Sequence, residues 1–165
     1  MRVPTSTPRL AAALLLVGLP AAAHAQAFNF TAVSTPVSRT ILPALPDGRA
    51  NGAMLANIAR FTLVEGGRAT EASGDCSEWL LPPGSAFGAE GVCKLGDASG
   101  GRYTLSFNCS ATPAGHCDGR LFADGGAFKG RTAKVSYRAT PVIEGVGAWD
   151  PRALIAQAEA TPAGN

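Results

Sequence analysis

Tyr103-Thr104-Leu105-Ser106-Phe107-Asn108-Cys109 alternates apolar and polar residues without a fault. A period of two places Tyr103, Leu105, Phe107 and Cys109 on one face, as a strand with one buried side requires. Lys134-Val135-Ser136-Tyr137-Arg138-Ala139 repeats the pattern with Val135, Tyr137 and Ala139 facing in. Between the strand-forming stretches lie strong turn sequences, Pro82-Pro83-Gly84 and Asp97-Ala98-Ser99-Gly100-Gly101. These stretches predict an antiparallel sheet.

Working outward, Phe28-Asn29-Phe30-Thr31-Ala32 reads as the first strand, followed by an irregular loop over 41–52 with Asp47-Gly48 and Asn51-Gly52. A strand over 57–65, the Gly66-Gly67 turn and a returning strand over 68–72 come next. Strands over 90–95, 102–109, 119–123 and 132–139 follow, the last read as the final long strand. Helical periodicity is nearly absent, and 20 Gly with 12 Pro suit many short strands and turns. The expected fold is all-β, a small antiparallel barrel of seven or eight strands, with a two-sheet sandwich as the alternative. The tail differs: Asp150-Pro151 is a helix start, and the Ala-rich 152–160 predicts one short C-terminal helix.

The N-terminus reads as an export signal. Arg2 and Arg9 precede an uncharged apolar run over 10–19, Pro20 breaks it, and Ala23-His24-Ala25 supplies a small-x-small cleavage site. The run is too short to span a bilayer, so no membrane anchor is expected after cleavage. The expected organisation is a signal peptide over 1–25, a β-barrel domain over 26–149, and a helix and tail over 150–165. The expected location is periplasmic or secreted.

Without Arg2 and Arg9, the chain's 14 Lys and Arg fall to the number of its acidic residues, 12. A balance near zero gives no electrostatic case for nucleic acid or an anionic membrane. Basic residues cluster over 129–138, and they read as the solvated outer face of a strand.

Four cysteines, Cys76, Cys93, Cys109 and Cys117, in an exported chain read as two disulfides with three possible connectivities. Zinc ligation would need close ligand pairs, and the spacings lack them. Cys76 and Cys93 are equidistant from the Pro82-Pro83-Gly84-Ser85 turn, so an antiparallel hairpin sets them opposite each other. Cys109 and Cys117 flank a short Pro/Gly loop. The favoured pairs are therefore Cys76–Cys93 and Cys109–Cys117.

Two resemblances follow from particular residues. Gly126, Phe128, Gly130, Thr132 and Tyr137 match a signature found in allene oxide cyclase and dirigent-type barrels; Asp124, Gly125 and Ala133 depart from it. Gly74-Asp75-Cys76 with Trp79, Gly91-Val92-Cys93, Phe107 with Cys109, and Cys117 resemble a group of exported, uncharacterised proteobacterial proteins. The resemblances imply a barrel fold and leave its activity open, because such barrels host unrelated functions. In the second group the first hairpin is followed by an acidic turn. Here that turn carries one carboxylate, Asp97, too few for a calcium loop.

No catalytic constellation stands out. His116 is the one histidine beyond the signal, and no nucleophile elbow accompanies it. Asp75 and Glu78 surround Cys76 next to Trp79, but their odd separation puts them on opposite faces of a strand. They read as surface charge around one buried Trp. No metal and no cofactor is expected. Phe30, Phe61, Trp79, Tyr103, Phe107 and Tyr137 are the residues expected either to line a cavity or to fill a core. The expected role is binding of a small apolar ligand or an envelope protein. A shape-selective cyclase or isomerase, or a structural protein acting through an edge strand, are the alternatives; the oligomeric state is left open.

Overall fold

The computed structural model describes residues 26–112, 115–139 and 142–151. Eight strands run in chain order: β1 (Ala27–Ile41), β2 (Ala53–Glu65), β3 (Arg68–Leu80), β4 (Phe87–Asp97), β5 (Arg102–Ser110), β6 (His116–Ala123), β7 (Thr132–Arg138) and β8 (Ile143–Trp149). Each pairs antiparallel with its neighbour in sequence, and β8 pairs with β1 to close a barrel. The expected signal peptide and nearly all of the expected C-terminal helix lie outside the described residues.

The strand over 132–139 is not the last long one. β8 follows it and makes the closing pair, Phe28 opposite Gly147 and Phe30 opposite Gly145. Its inward positions are Ile143, Gly145, Gly147 and Trp149, so two of four carry no side chain. A Cβ at Gly147 would overlap the Phe28 ring, and one at Gly145 would overlap Phe30. These glycines make room for aromatic rings from the neighbouring strand, the small-against-large alternation that fills narrow barrels.

Alternation along every strand sends one face into the barrel. Phe28, Phe30 and Ala32 of β1, Ala59, Phe61 and Leu63 of β2, and Tyr103, Leu105 and Cys109 of β5 are all buried. Both disulfides join directly opposed residues of adjacent strands, Cys76 with Cys93 across β3–β4 and Cys109 with Cys117 across β5–β6. That is the local pairing the turn positions predict. Disulfides belong to oxidising compartments.

The barrel is ragged. β1 meets β8 only as far as Ala32, while its pairing with β2 continues to Ile41. A register shift lies between Pro36 and Ser38, where a residue without an N–H is tolerated because the ladder is already interrupted.

Candidate functional site

One end of the barrel carries the β2–β3, β4–β5 and β6–β7 turns, and it is filled. The β6–β7 corner contains a 3-10 turn, Gly126–Phe128. It lays Phe128 parallel to Trp149 with ring centroids 5.3 Å apart, and Phe28 meets Trp149 at 4.9 Å. Trp149 is completely buried. The Arg131 guanidinium sits 5.4 Å from the Phe128 ring centre and pairs with Glu65 at 3.1 Å. Arg131 is thus half-buried, unlike Lys134 and Arg138 on the outer face of β7, so the basic cluster is not uniformly solvated.

Asp97 locks the β4–β5 turn at the same end. Its Oδ1 accepts from the Ser99 N–H and hydroxyl and from the Gly101 N–H, and its Oδ2 accepts from the Tyr103 hydroxyl at 2.6 Å. The Tyr103 bond above all pulls the Asp97 carboxyl down to about 2. The void left in this half, between Phe61, Leu95 and Leu121, is about 10 Å³, at the limit for a single water.

The opposite half is hollow. A cavity of about 230 Å³ lies between Phe30, Phe61, Leu105, Phe107 and Tyr137, walled in part by Cys76, Cys93 and Cys109. Its aromatic rings brace one another: Phe30 stacks on Phe61 at 4.6 Å, and Tyr137 meets Phe30 and Phe107 edge-on at 5.8 and 6.2 Å. The six aromatic residues singled out in the sequence therefore divide. Phe30, Phe61, Phe107 and Tyr137 line the cavity, and Tyr103 belongs to the filled half.

Trp79 does neither. On β3 the inward residues are Cys76, Glu78 and Leu80, opposite Asn57, Leu55 and Ala53 of β2. Trp79 has the other parity and lies on the outer wall with Met54 and Glu90. The expected picture of surface charge around a buried Trp is reversed: Glu78 lines the cavity and Trp79 faces out. Asp75 does face out, as its odd separation from Glu78 requires.

Glu78 is the polar centre of the hollow half. Asn57, only 6% exposed, donates Nδ2 to Glu78 Oε2 at 3.3 Å. The Asn57 Oδ1 is buried with no partner among the described residues, an expensive arrangement for an amide. Burial pushes the Glu78 carboxyl above its usual range, and the Asn57 bond only partly offsets this. Burial, and then the Glu78 charge, drive the Tyr137 phenol upward. A carboxyl in apolar surroundings can take up or release a proton at higher pH than a solvated one, and can anchor a ligand's polar group.

His116 faces outward, half-buried, with a 3.5 Å contact to Asp118, on the far side of the wall from the cavity. No family model, curated protein or solved structure matches this chain. The geometry of the hollow half must carry the functional reading.

Among the described residues, no three His, Cys, Asp or Glu side chains gather as a metal-binding group. The signal that could have found Glu78 is its even spacing from Cys76. A cysteine bridged inside a narrow barrel faces the core, and the residue two positions on shares that face.

Proposed function

We propose that this protein is an exported binding protein, periplasmic or secreted, that holds a small and largely apolar ligand in the hollow half of its barrel. The observation that carries the reading is the cavity of about 230 Å³ with an aromatic and disulfide wall and one carboxyl–amide pair. An apolar cavity of roughly 150 Å³ already binds benzene, so this volume takes a ligand of one ring or somewhat more. Few polar groups in a mostly apolar pocket are what small-molecule sites use to fix orientation.

The test is purification of the folded, oxidised protein followed by titration with an apolar fluorescent probe. Enhanced, saturable emission is expected, and it should vanish in Ala59→Phe, which fills the cavity. Saturation that survives Ala59→Phe would place the probe elsewhere and end this reading.

Glu78 favours a second reading, an enzyme that isomerises or cyclises a hydrophobic substrate. A carboxyl with a raised pKa beside a phenol is suited to proton transfer, with the cavity wall supplying shape and excluding water. Turnover lost in Glu78→Gln with binding retained would distinguish it from simple carriage. The stretch of β1 beyond Ala32, with Val37 and Ile41 exposed, favours a further role in pairing with an envelope protein. Crosslinking in an envelope extract would test that role, and a persistent monomer would count against it.

A further inference from the structure

The cavity has an unbalanced charge. Glu78 is its one acidic group, and no Lys, Arg or His lines it among the described residues. A carboxylate taken out of water without a cation is costly, and a single neutral amide donor repays little of that cost. Glu78 Oε2 has the Asn57 amide; Oε1 accepts no hydrogen bond among the described residues.

The titratable and charged groups that could answer Glu78 from neighbouring elements are few. From β2 come Leu55, directly opposite, and Asn57, neither of which titrates. From β4 comes Gly91, with Glu90 turned outward. From β7 comes Tyr137, neutral across the accessible pH range because burial holds its proton. From β1 comes Arg39, in register with Leu55 on the same face, but exposed and without an ion pair to Glu78. The strands therefore leave the carboxylate facing aromatic rings, whose faces attract cations and repel anions.

We propose that the ligand is a compact apolar cation, a hydrocarbon body carrying one protonated amine. This rests on the cavity reading above and adds the charge of the occupant. The ammonium donates to Glu78 Oε1 as a charge-assisted hydrogen bond, and the Tyr137 hydroxyl oxygen can accept a second N–H. The hydrocarbon body fills the space between Phe30, Phe61 and Phe107, where no further polar group is needed. A fatty acid or other carboxylate is disfavoured at the same place by repulsion from Glu78.

Three probes of one shape and different charge decide the matter: cyclohexylammonium, cyclohexanol and cyclohexanecarboxylate. Each is titrated calorimetrically into the full oxidised protein near neutral pH. The ammonium should bind about tenfold or more tighter than the alcohol, with the carboxylate weakest. In Glu78→Gln the ammonium should fall to within about threefold of the alcohol, whose retained affinity also reports that the variant is folded. The wild type supplies an independent measurement. Ammonium affinity should drop about tenfold as the pH is lowered below the Glu78 transition, while alcohol affinity holds. An alcohol that binds as tightly as the ammonium overturns this inference and leaves the cavity reading standing. Ammonium binding that is indifferent both to Glu78→Gln and to pH also overturns it. If none of the three binds, the cavity reading itself falls.

Discussion

At one end of this barrel Phe128 stacks on Trp149, Phe28 packs against it at a tilt, Arg131 lies over Phe128 and Trp149, and about 10 Å³ is left empty. At the other end the same eight strands surround about 230 Å³. The filled end is held by packing. The hollow end gives up those contacts and has both disulfides in its wall instead, with Cys76, Cys93 and Cys109 lining the cavity. Covalent staples substitute for missing core, as in small domains with too little apolar surface to bury. The polar groups divide in the same way. Asp97 at the filled end has four hydrogen-bond donors, whereas Glu78 at the hollow end has one.

The strongest way to break this comparison is Trp149→Ala. Removing a fully buried indole from a well-packed end should cost about 3–5 kcal/mol in chemical denaturation. Replacing Cys76 and Cys93 together should cost about 3 kcal/mol, the loop-entropy value for a closure near this length. Hydrogen exchange should then rise first around the cavity and not near Trp149. Uniform loss of protection would show that the two ends are one cooperative unit.

The two carboxyls sharpen the contrast through the sign of their pH dependence. Glu78 holds its proton more tightly in the folded protein than in the unfolded chain. Its contribution is therefore most favourable below its ordinary value of 4.5 and is lost as the pH rises through the folded value. Glu78→Gln keeps an acceptor for Asn57 and removes the charge. It should stabilise by up to about 1 kcal/mol near neutral pH, after allowance for partial solvent screening. Asp97 runs the other way. Its contribution is complete above its ordinary value of 3.8 and is lost as the pH falls towards about 2. Asp97→Asn should flatten that acid limb while costing only a few tenths of a kcal/mol at pH 7, because the turn is largely exposed. Matching pH slopes in the two variants would refute the division.

What could be read in the sequence follows from where side chains carry a signal. β5 and β7 alternate cleanly because every inward position bears an apolar group. The disulfide pairs are legible from turn positions alone. β8 is not legible, since Gly145 and Gly147 occupy half of its inward face and the rings filling that space belong to β1. Trp149, at the end of this unmarked strand, goes unnoticed for the same reason. Asn57 has the inward parity of Ala59 and Phe61, but a single amide at the start of an apolar strand carries no mark of a site. For Glu78 the signal is present, in its parity with Cys76, but the adjacent Trp79 suggests the opposite face.

Closure of the barrel by β1 and β8 has a consequence for the expected order of assembly. The other seven pairings are hairpins between neighbours in the chain, each closing a short loop at small entropic cost. The β1–β8 ladder alone joins residues from the two ends of the domain, Ala27 opposite Ala148. A meander can therefore grow from local contacts, and the closing ladder, which spans the greatest sequence separation, is expected to form last. Substitutions in that ladder are then expected to accelerate unfolding and leave the folding rate nearly untouched. Chevron plots for a Val146 variant beside one in β4–β5 would separate the two classes.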